Sequence, residues 1–203
     1  TVQQYVTRTI EIQNKIQSGC CSLPFDFKAF DHQPQTREIQ ILAQQYFTLA
    51  AEGRTVEQRA AILPLVVRVV ASYATGEITT LPKPDVKTYK TTGGLDSGVR
   101  STSLLGNLWN AVVTRIARDY MEEIIGYDPV EHLSIRGDDT LLLFRLPQEA
   151  YAMRLAYASV NAIGHNSKFG IMQHESEFLR ILTTTTDAIG WPNRLIPSLN
   201  ERK

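Results

Sequence analysis

Cysteine is scarce, neither sign of charge is in excess, and no long apolar run occurs. Only two of the 203 residues are cysteine, Cys20 and Cys21, and they adjoin. Sequence neighbours cannot staple a fold and match no zinc spacing, so both are expected as reduced, buried thiols in a reducing compartment. The four histidines, His32, His132, His165 and His174, show no ligand spacing either. Lys and Arg number 21, as do Asp and Glu, so the net charge is zero. Any nucleic-acid partner must therefore be held by a local groove, because no global field attracts phosphate. The most apolar stretch, residues 62–74, is broken by Pro64 and Arg68. It falls short of the ~20 residues that span a bilayer. The opening TVQQYVTR lacks a start Met and a signal pattern, so the expectation is a soluble, intracellular segment cut from a longer chain.

What is present is ordinary globular composition, 43% hydrophobic and 21% charged, without repeats or low-complexity tracts. The length suits one domain with a sizeable core. Apolar residues near helical period run from Val2 to Ile16 until Gly19 stops them, and a short apolar run at 23–27 reads as a strand. Helices are expected over 35–52 and 55–75, then a hairpin over 77–91 with its turn at 83–85, then a long helix over 99–124. Two β runs at 131–135 and 140–145 precede a helix over 147–163, short strands near 168–173 and 177–183, and an irregular tail. This order, with an antiparallel central pair, argues for an α+β fold rather than a doubly wound sheet.

The sharpest feature is Ile135-Arg136-Gly137-Asp138-Asp139-Thr140, set between two β runs. A hairpin turn rich in Asp and Gly is common by itself. Upstream, Phe25-Asp26-Phe27-Lys28-Ala29-Phe30-Asp31 puts Asp26 at the end of another apolar strand. If these strands lie side by side, Asp26, Asp138 and Asp139 meet at one sheet edge. Carboxylates so gathered repel one another unless a cation sits among them. Mg2+ suits such a place, since it takes oxygen ligands from few carboxylates and several phosphate oxygens. A third element is the glycine-rich loop at 92–98, leading through Thr102 to Asn107 and Asn110. Such a loop opening a helix offers backbone N–H groups to phosphate or ribose oxygens. An N-cap by Ser97 explains the same Ser-Gly pair.

In order and spacing these segments resemble the palm of viral RNA-dependent RNA polymerases, most of all those of double-stranded RNA viruses, over about residues 20–185. Asp26 and Asp31 match the paired aspartates of motif A, and Ser97, Gly98 and Thr102 match motif B. Gly137, Asp138 and Asp139 match motif C. Asn166-Ser167-Lys168-Phe169 is similar to the end of motif D, and Ser176-Glu177-Phe178-Leu179-Arg180 to motif E. Two departures stand out. Four residues after Thr102, where the family usually has Asn, this chain has Gly106, a small residue found in some double-stranded RNA virus polymerases as well. That leaves either Asn107 or Asn110 to face the ribose. No basic fingers motif precedes Cys20, so most of the fingers and the thumb are expected to lie outside residues 1–203.

The resemblance implies a palm with a central antiparallel sheet packed on helices plus part of the fingers, as a single unit over 1–203. It implies template-directed RNA synthesis in viral genome replication and transcription, with two Mg2+ ions (Mn2+ able to substitute) held by Asp26, Asp138 and Asp139. Asp31 would accept a hydrogen bond from the ribose 2′-OH, with capping of the helix after Pro34 as its alternative. Ser97, Gly98, Thr102 and Asn107 would hold the nucleotide, and Lys168 would protonate the departing pyrophosphate. Arg136 and Arg180 would touch RNA, Arg136 pairing with a neighbouring carboxylate as the alternative; Phe178 and Leu179 would pack the palm base. The implied partners are template RNA, a primer or nascent strand, NTPs, and the fingers and thumb, in host cytoplasm or virion interior. Three other readings compete: an inactive isolated palm, a non-catalytic RNA-binding module, and a reverse transcriptase. Intact acids argue against the second. Asp31 disfavours the third, because DNA synthesis needs a bulky apolar gate at that place.

Overall fold

The computed structural model describes residues 2–79, 86–95, 101–166 and 169–190. In chain order the elements are α1 (Val2–Gln17), β1 (Cys21–Asp26), α2 (Thr36–Ala51), α3 (Val56–Ser72), β2 (Glu77–Thr79), β3 (Thr88–Lys90) and α4 (Thr102–Ile125). Then come β4 (Val130–Arg136), β5 (Asp139–Phe144), α5 (Pro147–Ser159), β6 (Met172–Gln173), β7 (Glu175–Phe178), β8 (Ile181–Thr184) and β9 (Ala188–Gly190). Every described strand pairing is antiparallel, and the fold is α+β as expected. The chain divides into two compact units, one of Thr1–Lys28 with Ala111–Lys203 and one of Ala29–Asn110.

In the first unit one sheet has the order β4-β5-β1-β6 and a second the order β7-β8-β9. Strand β5 reads as a continuous apolar run because it is covered on both faces: Leu141, Leu142, Leu143 and Phe144 are each 0% exposed. Alternation sends Leu141 and Leu143 to one face, where they meet Ile12 and Ile16 of α1, Cys20 and Phe178. On the opposite face Phe25 stacks on Tyr157 of α5, with ring centroids 4.0 Å apart, and meets Phe27 edge-on at 4.8 Å. The Tyr157 hydroxyl, fully buried, shares a 2.7 Å hydrogen bond with Thr114 of α4. Gly19, at a φ of 91°, closes α1, and the Cys20 N–H reaches the Lys15 carbonyl at 3.1 Å. Both thiols are buried and unpaired.

In the second unit α2 opens at Gln35, whose N–H donates to the Glu38 carboxylate at 2.9 Å. The same Glu38 oxygen accepts the Trp109 indole N–H at 2.9 Å, and Trp109 lies edge-on to Phe30. The cap of α2 is thus Gln35 and not Asp31. Strands β2 and β3 form the expected hairpin, whose turn lies outside the described residues.

Three elements differ from the sequence expectation. Helix α5 stops at Ser159 because Asn161 takes a left-handed φ of 61° and the Ala162 N–H closes on the Tyr157 carbonyl at 2.8 Å. This is a glycine-type stop made by asparagine. The single strand expected at 177–183 is a hairpin, β7 and β8, joined by Leu179 and Arg180 alone. Both residues are left-handed, with φ of 51° and 64°, a conformation costing roughly 1–2 kcal/mol per non-glycine residue. Part of the irregular tail is β9, paired along β8.

Two substitutions test this packing. A methyl at Gly164 would lie 2.9 Å from Cζ of Phe25, a ring already wedged between Tyr157 and Phe27. Gly164→Ala should therefore cost about 1–3 kcal/mol and lower the melting temperature in thermal unfolding. The Ser176 hydroxyl is buried with no partner among the described residues. Ser176→Ala should raise stability by ~1 kcal/mol, and a melting temperature at or below wild type would contradict that placement.

Candidate functional site

The β1–β5 register sets Asp26 directly opposite Asp139, and the β4–β5 register sets Arg136 opposite Asp139 from the other side. Arg136, Asp139 and Asp26 therefore form one rung across three strands, and cross-strand partners share a face. The link between β4 and β5 is Gly137-Asp138, with Gly137 at a φ of 66°. Positive φ at the first link residue alone is the type II′ pattern that glycine supplies without strain. Asp26 is held through its backbone: its carbonyl accepts the His165 N–H at 2.7 Å, and Phe27 bridges to Gly164.

The three carboxylates line one cavity of about 580 Å3, whose wall includes Glu177, Phe178 and Arg180 from the β7–β8 hairpin. Partial burial and the charges of Asp138, Asp26 and Glu177 push the Asp139 carboxyl above the usual carboxylate range, while Arg180 pulls it down. Asp139 still reaches solvent, which screens these interactions. The donor chemistry fits a hard divalent cation, since the described lining offers carboxylate oxygens and no thiol or imidazole. Among the described residues no three acidic, His or Cys side chains are already closed into a metal cage. The fit thus lies in donor type and charge.

The remaining motif residues fall as follows. Asp31 is exposed in a short 3-10 turn, Phe30–His32, and its carbonyl accepts the Leu95 N–H at 2.7 Å. Thr102 opens α4. Asn107 is half-buried and donates to the Ser103 carbonyl at 2.6 Å, whereas Asn110 is fully buried. A Cβ on Gly106 would meet the Phe30 ring at 3.2 Å and Leu95 at 3.4 Å, so a side chain there is tight and requires the ring to shift. Phe178 belongs to the hydrophobic cluster and Leu179 packs against it. Ser97, Gly98 and Lys168 lie outside the described residues.

Glu177 is a cavity carboxylate to which sequence reasoning gave no role. Its signal was the alternation of β7, in which Ser176 and Phe178 are buried and Glu177 faces the other way. Gly164 carried no signal, because the ring it must admit comes from a distant part of the chain.

A family pattern described as viral RNA-directed RNA-polymerase matches residues 3–200. The probable RNA-directed RNA polymerase of Giardia lamblia virus (isolate Wang) is 26% identical over 186 residues, which is 90% of this chain and 9% of that protein. The crystal structure of the RNA-dependent RNA polymerase of a human picorbirnavirus superposes with a TM-score of 0.56 at 17% identity, over 86% of this chain and 32% of that one. Apo telomerase from Candida tropicalis superposes with a TM-score of 0.68 at 10% identity, over 93% of this chain and 36% of that one. The chain thus spans under a tenth of the curated relative's length and about a third of each solved chain. At these identities the two structural likenesses establish the fold alone.

The raised Asp139 carboxyl has a measurable consequence. The folded state holds this proton over a pH range in which the unfolded chain has already lost it. The residue's contribution to stability therefore falls as pH rises from the ordinary value, about 3.8, through the raised one. In EDTA, Asp139→Asn should melt above wild type at neutral pH, and the gap should close as pH is lowered toward about 4. A gap constant across that range would show that neither burial nor neighbouring charge raises the Asp139 carboxyl.

Proposed function

The chain belongs to the viral RNA-directed RNA-polymerase family, whose pattern spans residues 3–200, and on that footing we propose that it supplies the nucleotidyl-transfer site of an RNA-dependent RNA polymerase. The observation that carries this reading is the cavity at the sheet end, lined by Asp26 and Asp139 from paired strands and by Asp138 from the adjoining turn. The reaction is attack of an RNA 3′-OH on the α-phosphate of an NTP, the new P–O bond forming as the bond to pyrophosphate breaks. Asp26 and Asp138 would hold two Mg2+ ions, or Mn2+ in their place, with Asp139 in support. When bound, these ions would lower the proton affinity of the attacking hydroxyl and offset the charge of the leaving pyrophosphate.

Asp31 would accept a hydrogen bond from the ribose 2′-OH and so tell RNA precursors from DNA precursors. Its exposure, and the capping of α2 by Gln35, favour this role over the capping alternative. Ser97, Gly98 and Thr102 would hold the nucleotide and its template base with Asn107 or Asn110. Lys168 would give a proton to the departing pyrophosphate. The parts of Ser97, Gly98 and Lys168 rest on the motif match alone. Arg136 and Arg180 would meet RNA phosphates. The partners are template RNA, a primer or nascent strand, NTPs, and the fingers and thumb, acting in viral replication and transcription in host cytoplasm or virion interior. Among the described residues no helix is long and apolar enough to cross a membrane.

Asp138→Asn in the full-length protein keeps side-chain size and removes the charge. Single-nucleotide extension with Mg2+ should fall nearly to zero, while template affinity at fixed salt should barely change, because it rests on basic contacts elsewhere. Near-normal extension would refute the assignment, and equal loss of extension and RNA binding would make the turn a structural element. Asp31→Ala should weaken preference for ribonucleotides by roughly 2- to 13-fold, the worth of one hydrogen bond of ~0.5–1.5 kcal/mol. An unchanged ratio of the two nucleotide types at matched Mg2+ would remove Asp31 from sugar recognition.

A further inference from the structure

Leu179 and Arg180 link β7 to β8 in two consecutive left-handed residues, with φ of 51° and 64°. That is the type I′ turn, which Asn-Gly or Gly-Gly normally fills because branched and long side chains are sterically opposed there. Such strain persists only where the surroundings over-determine it. Here Phe178 is buried in the cluster of α1 and β5, Leu179 packs on the same cluster, and Phe178 pairs with Ile181 to close the hairpin. Arg8 of α1 lies over the Phe178 ring, 4.9 Å from its centroid. The main chain of Arg180 is thereby fixed at the rim of the cavity that Asp26, Asp138, Asp139 and Glu177 line. Arg180 is also the cation whose field reaches Asp139 and favours its ionised form.

We propose that the Leu179–Arg180 turn is a strained mount that keeps the Arg180 guanidinium at the carboxylates as their resident counter-charge, moderating how tightly the cavity holds divalent cations. The inference rests on the metal-site reading of Asp26, Asp138 and Asp139. Four carboxylates without an internal counter-charge would repel one another when no cation is bound, and would hold a bound cation hard. A fixed guanidinium offsets one of those charges continuously, and it has no lone pair with which to occupy a cation's coordination sphere. Arg180 acts on the site through its field and is a positioning residue.

The test is Mn2+ binding to the RNA-free, full-length protein, followed by electron paramagnetic resonance, with thermal unfolding in EDTA as the check on folding. Arg180→Asn removes the charge and keeps a residue that tolerates left-handed backbone; Arg180→Gly serves the same purpose should the Asn variant not fold. Arg180→Lys keeps charge and strain together. The charge-free variants should bind Mn2+ roughly 3- to 30-fold more tightly at low salt. The gain should largely vanish at ~1 M salt, where the Debye length is about 3 Å. Arg180→Lys should stay within about twofold of wild type. Unchanged or weaker Mn2+ binding in a folded charge-free variant overturns the proposal, and is what a guanidinium serving RNA alone would give. Equal tightening in Arg180→Lys would assign the effect to the turn and overturns it too. Asp138→Asn separates the two levels. If it abolishes Mn2+ binding while the charge-free variants match wild type, only the counter-charge fails; if it leaves binding at full strength, the metal reading fails first.

Discussion

Pairing of Cys21 through Asp26 with Phe144 through Asp139 ties the hydrophobic core and the carboxylates to a single register. Leu141 and Leu143 are committed to the face that meets α1, and period-two alternation then puts Asp139 on that face as well. Asp26 follows because it is the direct partner of Asp139. A slip of one residue would turn Asp139 to the other face and drive polar groups into the layer that Phe25 and Tyr157 occupy. The apolar residues thus fix the place of the charged ones, and the cost of misplacing a leucine guards the placement of an aspartate.

Around this register the cavity gathers features that each oppose stability. Asp26 and Asp139 are like charges directly opposite each other, an arrangement that weakens a strand pair. The Asp139 carboxyl is held away from its preferred ionisation, and the hairpin beside it carries two strained residues. The Ser176 hydroxyl, three residues before the strained turn begins, is buried without a partner among the described residues. These sit against a strand buried on both faces and an aromatic stack of Phe25, Phe27 and Tyr157. Unfavourable geometry persists where the neighbouring packing leaves the chain no alternative.

Much of this was legible because local chemistry and tertiary context agree. The run at 140–145 reads as a strand since it is buried on both sides, Gly19 stops α1 as glycine commonly does, and Gly137 supplies the turn that a tight hairpin requires. The antiparallel α+β class followed from element order. Where the two levels conflict, the sequence misleads. Leu179 and Arg180 favour regular structure, so the hairpin they form reads as one strand until Phe178 and the cluster beneath it are seen. Asn161 does the work expected of glycine, so α5 reads too long. At the site, strand-end positions suggested that Asp26 and the Gly-Asp-Asp turn could meet. The register that makes Asp26 and Asp139 direct partners depends on distant packing and had no local sign, and neither did the bare backbone needed at Gly164.

Gly106 has a bearing on how this chain can vary. Its bare Cα lets α4 approach the Phe30 ring, and a Cβ there would already stand at 3.2 Å from that ring. Phe30 is in turn seated against Trp109 one helical turn further along the same helix. A side chain at 106 therefore presses on Phe30, whose ring has to give by a few tenths of an ångström to admit it. A larger residue at 106 is accommodated most readily beside a smaller one at 30, so the two positions are coupled through this single contact.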